Sequence, residues 1–149
     1  MSHSFTKIDI HGIFSTKNRE GLISPKLEPL LYKKIREIFT RDLNCILHTI
    51  NGIDDHIHVL FALNPSVSVS DVFKSIKGSS SHFVNQEDII ARKFAWQTGY
   101  AAFSVSPSQF QKAFKYIENQ KQHHKTKTFN QELAALCKSH GVEWQEENP

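Results

Sequence analysis

Two short apolar runs flank Asn51-Gly52: CILHTI (45–50) before it and IDDHIHVLFA (53–62) after it. Asn-Gly is the strongest short hairpin signal, because both central residues of a type I′ turn need positive φ. The middle of the chain is therefore predicted to be an antiparallel pair with a tight turn at 51–52. Every other segment has to fit around that pair.

The flanking periodicities supply the rest. Residues 5–15 alternate as a strand should, with Phe5, Ile8, Ile10 and Phe14 as apolar positions. Residues 16–24 are polar and loop-like. Ser24-Pro25 then reads as an N-cap and first helical residue. Leu27, Leu30, Leu31, Ile35, Ile38 and Phe39 predict an amphipathic helix over 25–42, with Pro29 disturbing its first turn. After the hairpin, Asn64-Pro65 is a stop. Ser70 is the expected cap of a second helix through Val72, Phe73, Ile76 and Phe83, weakened toward its end by Gly78 and the serines at 79–81. Residues 94–105 predict a fourth strand with Gly99 as a bulge. Ser106-Pro107 starts a third helix expected to run to about Lys125, with Phe110, Ala113, Phe114 and Ile117 on its core face. A last helix is expected over 129–139, stopping near Gly141.

The order is strand, helix, strand, strand, helix, strand, then two helices. Its first six elements are the ferredoxin-like βαββαβ arrangement, an α+β fold with an antiparallel sheet and both helices on one face. The other face is left for a site. The 149 residues contain no repeat or linker, so 1–149 is expected to be a single domain.

The chemistry-bearing residues fall where that free face should be. His56 and His58 stand two apart on the third strand. They share a face about 6.7 Å apart along the chain, while Ile57, Val59 and Phe61 point into the core. Asp54 is expected on the histidine face. On the third helix Tyr116 and Gln120 are spaced i, i+4, one turn apart on a face that flanks the apolar stripe. Two imidazoles and the Gln120 amide oxygen can offer a divalent ion three positions. Such an ion, by neutralising charge on a phosphate, offsets the poor nucleophilicity of a tyrosine whose unperturbed pKa is about 10. Tyr116 can then form a covalent phosphotyrosine.

These residues lie within segments similar to a known family. TKNRE (16–20), DDHIHVLFAL (54–63), SIKGSSS (75–81), WQTGYAAFSVS (96–106) and YIENQKQHH (116–124) resemble, in the same order, the single-tyrosine HUH transposases of small insertion sequences and of repetitive extragenic palindromes. The resemblance implies a transposase, a DNA strand transferase acting on single-stranded or hairpin DNA through a 5′-phosphotyrosine. It implies Tyr116 as the nucleophile, His56, His58 and Gln120 as metal ligands, and Mg2+ or Mn2+ as the ion. It also implies a homodimer, with the active site built in cis or in trans. Histidine and amide ligation by itself admits manganese, zinc or cobalt equally. Three other readings stay open: a hairpin-DNA-binding protein descended from such an enzyme, a histidine-based nucleotide phosphohydrolase, and a purely structural or interaction domain. Against the second, Leu60 stands where a histidine-triad enzyme would have its third histidine.

Charge fits a polyanionic partner. Residues 128–149 carry one lysine against Glu132, Glu143, Glu146 and Glu147, which leaves the preceding residues with 17 basic and 11 acidic side chains. Lys17 and Arg19 in the first loop, Lys74 and Lys77 on the second helix, and Lys112 and Lys115 beside Tyr116 are the DNA-contact candidates. His123 and His124 follow Gln120 and have either a site role or a solvated one. The tail is expected either to cover the tyrosine helix or a dimer partner, or to pack through Leu133, Leu136 and Trp144. Cys45 and Cys137 are too few and too far apart for a disulfide framework and suit a reducing compartment. No apolar run approaches the ~20 residues of a membrane span, and the N-terminus lacks the apolar core of a signal peptide. The expected location is the cytoplasm, with no membrane partner.

Overall fold

A computed structural model describes residues 3–145. Its first six main elements are β1 (Asp9–Ser15), α1 (Leu27–Glu37), β2 (Ile46–Gly52), β3 (His56–Ala62), α2 (Val69–Gln86) and β4 (Ala101–Val105). The four strands form one antiparallel sheet in the order β2-β3-β1-β4, which is the ferredoxin-like arrangement. Helices α3 (Phe110–Glu118), α4 (Gln120–His123) and α5 (Phe129–Ser139) follow.

Strand pleating divides the side chains between two layers. On one face Ile10, Phe14, Ile57, Val59 and Phe61 meet Leu27, Leu31 and Ile35 of α1 and Val72, Phe73 and Ile76 of α2 in the main core. Gly12 lets α2 approach β1 closely there, since an added Cβ would lie 2.4 Å from the Phe73 ring. On the other face α3 crosses β2 and β3. Helix α5 packs Phe129, Leu133, Leu136 and Cys137 with Ile13 and Phe103, and Trp144 joins them. The tail packing through Leu133, Leu136 and Trp144 is therefore present. Glu146 and Glu147 lie outside the described residues. Both cysteines are buried and free.

Local structure corrects several expectations. Phe5 is 93% exposed, and β1 begins only at Asp9. The first helix ends in a wider π-type turn over Ile38–Asp42. Asn51-Gly52 is not the hairpin turn: β2 continues through Gly52, which pairs with Ile57, and the chain reverses over residues 53–55. Both residues have other work. The Asn51 amide donates to the carbonyls of Ile117 and Glu118 at 3.0 Å each, capping the end of α3. A Cβ at Gly52 would strike the His56 carbonyl at 2.1 Å. The N-cap of α2 is Ser68, whose hydroxyl accepts from the Asp71 N–H, and not Ser70. The helix runs on through Gly78 and the serines.

The fourth strand is limited to 101–105. Residues 94–100 join the end of β1 through a single antiparallel bridge, Trp96 opposite Thr16, with the Gln97 N–H on the Ser15 carbonyl at 2.8 Å and the Lys17 N–H on the Ala95 carbonyl at 2.9 Å, and side chains hold the rest. Asn85 pairs both backbone groups of Phe94, and Lys77 Nζ donates to the carbonyls of Gln97 and Gly99. Gly99, at φ 91°, makes a left-handed turn there and no bulge. The third helix is shorter than expected. It breaks at Asn119, and only Ile117 of its predicted core face is fully buried.

Candidate active site

Alternation along β3 sends His56 and His58 to the face under α3 and α5, and both are fully buried. Tyr116, half-buried, comes down on them from α3. Its ring centre lies 5.9 Å from that of His58. Gln120 follows the break at Asn119 and is fully buried, with its Oε1 3.3 Å from His56 Nε2. The four residues singled out in the sequence are thus brought together. Asp54 is not with them. It is exposed in the turn, with its carboxylate over Gly21. Its neighbour Asp55 holds His56 Nδ1 at 2.7 Å instead.

Two residues that sequence reasoning left out of the site stand at its centre. Glu132 of α5 is only 1% exposed. Its Oε1 lies 2.8 Å from His58 Nε2 and 3.3 Å from Nε2 of both His56 and His124. Its Oε2 accepts from the Tyr116 hydroxyl at 2.5 Å and from Gln120 Nε2 at 2.9 Å. His11 of β1, also buried, shares a 2.8 Å hydrogen bond with His58 Nδ1. Both had a signal. Glu132 sits inside the stripe Phe129, Leu133, Leu136, where an apolar residue belongs, and His11 alternates with Ile10 and Gly12 on the histidine face of β1.

Helix α5 is firmly started. Thr128 accepts from the Gln131 N–H, while the Gln131 side chain accepts from the Thr128 N–H, a capping box. His124 is positioned by its Nδ1 hydrogen bond to the Lys127 carbonyl and by Nε2 on Gln120 Oε1. His123 packs its ring edge-to-face on Tyr116 at 4.6 Å.

The electrostatics follow from burial and the shared carboxylate. Burial alone would lower His56, but its hydrogen bonds to Asp55 and Glu132 outweigh that and push it up to about 9. Burial holds His58 down at about 4 and His11 at about 3. Burial and the adjacent carboxylate raise Tyr116 well above the ordinary phenol value. Glu132 lies well below the usual carboxylate range, because hydrogen bonds from His56 and His58 overcome its burial. The donor set suits a cation: nitrogen atoms of His56, His58 and His124 and a Glu132 oxygen all lie within 4.8 Å of one another.

The basic candidates are scattered. Lys17, Arg19, Lys112 and Lys115 are exposed, the last two on the helix that bears Tyr116. Arg19 reaches α5, donating to Asn130 Oδ1 and lying over the Phe129 ring. Lys74 and Lys77 belong to α2, behind the sheet. The Lys77 ammonium donates to two loop carbonyls, those of Gln97 and Gly99.

A four-stranded ferredoxin-like sheet with paired histidines under a helix-borne tyrosine defines a class, and the comparisons agree with it. The family model described as "Transposase IS200 like" matches residues 4–120. The chain belongs to this family of single-tyrosine HUH transposases, which are DNA strand transferases. It is 24% identical over 119 residues to the ISDra2 transposase TnpA of Deinococcus radiodurans, covering 76% of this chain and 84% of the relative. Its fold is similar to two solved structures. A candidate transposase from Deinococcus radiodurans R1 gives a TM-score of 0.65 at 23% identity, over 80% of this chain and 95% of that one. A REP-associated tyrosine transposase bound to a REP hairpin gives 0.65 at 14% identity, over 99% and 91%. No helix among the described residues is long and apolar enough to cross a membrane.

Proposed function

We propose that this chain cuts and rejoins single-stranded DNA at or near a hairpin, with Tyr116 as the nucleophile and a divalent ion at His56, His58 and Gln120. The observation that carries this reading is convergence. The Tyr116 hydroxyl and the two strand-borne imidazoles all lie within hydrogen-bond distance of one carboxylate, so a phosphate entering there would meet the nucleophile and the ligand set together.

The chain's own groups account for the steps. Glu132 Oε2 accepts the Tyr116 hydroxyl hydrogen bond and so orients the phenol, and the phenolic proton passes to water as the bond to phosphorus forms. The phenolic oxygen forms a bond to phosphorus, and the bond from phosphorus to the 3′-oxygen breaks. The 3′-oxygen leaves with the electron pair and takes a proton from water. The 5′-phosphate stays on Tyr116. A divalent ion at the site supplies charge neutralisation on the phosphate oxygens. Attack of a 3′-hydroxyl on the phosphotyrosine reverses the step, frees Tyr116 and joins the strands, with the bond energy conserved throughout. Lys112 and Lys115, exposed on the same helix, and Lys17 and Arg19, exposed in the first loop, would meet the flanking backbone. Tyr116 and the histidines meet within one chain, which favours a cis site. A homodimer would then serve to pair element ends and not to complete the chemistry.

The test is a labelled single-stranded oligonucleotide carrying a hairpin, incubated with the protein and Mn2+. The expected result is a denaturation-resistant adduct that maps to Tyr116 and is absent from Tyr116→Phe. Equal cleavage by both proteins, or by neither, overturns the reading.

A further inference from the structure

We propose that His124 and Glu132, which lie beyond the segment matched by the family model, are metal ligands alongside His56 and His58, and that the resident ion is a first-row transition ion in preference to Mg2+. The inference rests on the functional reading above and gives the C-terminal helix a place in the metal site.

The carboxylate comes first. Glu132 is nearly inaccessible and yet points at three imidazoles. Its two oxygens divide the surroundings: Oε1 faces His56, His58 and His124, while Oε2 faces Tyr116 and Gln120. A buried carboxylate is costly unless charge and hydrogen bonds answer it, and the groups that answer this one are nitrogens of a kind that also ligate metals. The distances of 2.8 to 3.3 Å from Oε1 to the three Nε2 atoms approach the ~3.3 Å edges expected between ligand atoms about 2 Å from one ion.

Imidazole orientation is the second observation. Each ring offers Nε2 to the centre and has its Nδ1 engaged from outside: His56 by the Asp55 carboxylate at 2.7 Å, His58 by His11 at 2.8 Å and His124 by the Lys127 carbonyl at 2.8 Å. A hydrogen bond at the outer nitrogen fixes the ring and directs the lone pair of the inner one, the usual arrangement around metal-bound histidines. Three rings from two elements share it here. Three imidazoles and one carboxylate, with the Gln120 amide oxygen beside them at 3.3 Å from His56 Nε2 and 3.1 Å from His124 Nε2, form a set matched to manganese, cobalt or zinc. Mg2+ prefers oxygen ligands and retained water.

The experiment is metal titration of the full chain by calorimetry with Mn2+, Co2+ and Mg2+, with Co2+ absorption as a second readout. Variants are Glu132→Gln, His124→Ala and the pair His56→Ala, His58→Ala. The double histidine variant should lose binding. Glu132→Gln and His124→Ala should each bind Mn2+ about tenfold or more weakly and change the Co2+ spectrum, and the wild type should prefer Mn2+ to Mg2+ by about a hundredfold. Wild-type affinity in both Glu132→Gln and His124→Ala overturns the inference, as does equal affinity for Mg2+ and Mn2+. So does a Glu132→Gln protein that cleaves DNA faster with unchanged metal affinity, because Glu132 would then be a plug. If Glu132→Gln fails to fold, His124→Ala and the wild-type metal preference decide. The Tyr116→Phe adduct assay is independent of these readouts, so failure here leaves the strand-transfer reading standing.

Discussion

The same three strands present two faces of opposite character. Toward α1 and α2 the sheet offers Ile10, Phe14, Ile50, Ile57, Val59 and Phe61, a dry layer stabilised by apolar burial. Toward α3 and α5 it offers His11, Thr49, His56 and His58, equally buried, and these are answered by Glu132, Gln120 and Glu118. One residue of register separates the layers. The difference teaches that apolar packing and site chemistry are assigned to alternate positions of one strand, so the apolar layer can be perturbed with little cost to the site.

The sharpest break of that division is Phe61→Ala. The ring is fully buried on the apolar side, and its loss should cost about 3–5 kcal/mol of stability in denaturant unfolding. Metal affinity at temperatures below the melt should stay as in the wild type. A parallel loss of metal affinity would show the faces to be coupled.

Next in size is the response to pH of the metal-free chain, which only the polar face should produce. His56, raised to about 9 despite its burial, holds a proton more tightly folded than unfolded. Its contribution is therefore complete below its ordinary 6.5 and lost as pH rises through about 9. His58 and His11, held down at about 4 and about 3 by burial, have the opposite sign. The stability tied to them is lost as pH falls below 6.5 through those values. Glu132, depressed by its imidazole partners, adds to the loss below its ordinary 4.5. Thermal melts should peak near neutrality and fall on both sides. A flat profile from pH 4 to 9 would contradict this.

The smallest of the three is His11→Ala, which removes the outer partner of His58 Nδ1. It should cost about 1–3 kcal/mol of stability and about 10- to 100-fold in Mn2+ affinity, with Tyr116 still in place. Unchanged affinity would mean that the His58 ring is held by packing alone.

Period-two alternation made the division legible before any coordinates. Ile57 between His56 and His58, followed by Val59 and Phe61, is enough to assign both faces of β3, and helical spacing is enough to set Tyr116 near Gln120. Long-range partners were not legible in the same way. Glu132 counts as one more acid in an acidic tail until α5 is seen to fold back across the sheet, although its place in an apolar stripe was a clue. Asp54 and Asp55 are adjacent, and strand alternation carried two residues beyond the start of β3 into the turn selected the wrong one. Asn51-Gly52 misled for a related reason. Local turn preference was outweighed by tertiary demands, an amide needed at the end of α3 and a bare Cα needed beside the His56 carbonyl.

That Asn51 contact has a mechanical consequence. Its amide grips the last carbonyls of α3, and Lys121 ties the following turn to Asn51, Gly52 and Glu28. The helix is thereby pinned at the end that bears Tyr116. Any swing of α3 pivots on this knot, sweeping Phe110 through a wide arc while the phenol, close to the fulcrum, scarcely shifts.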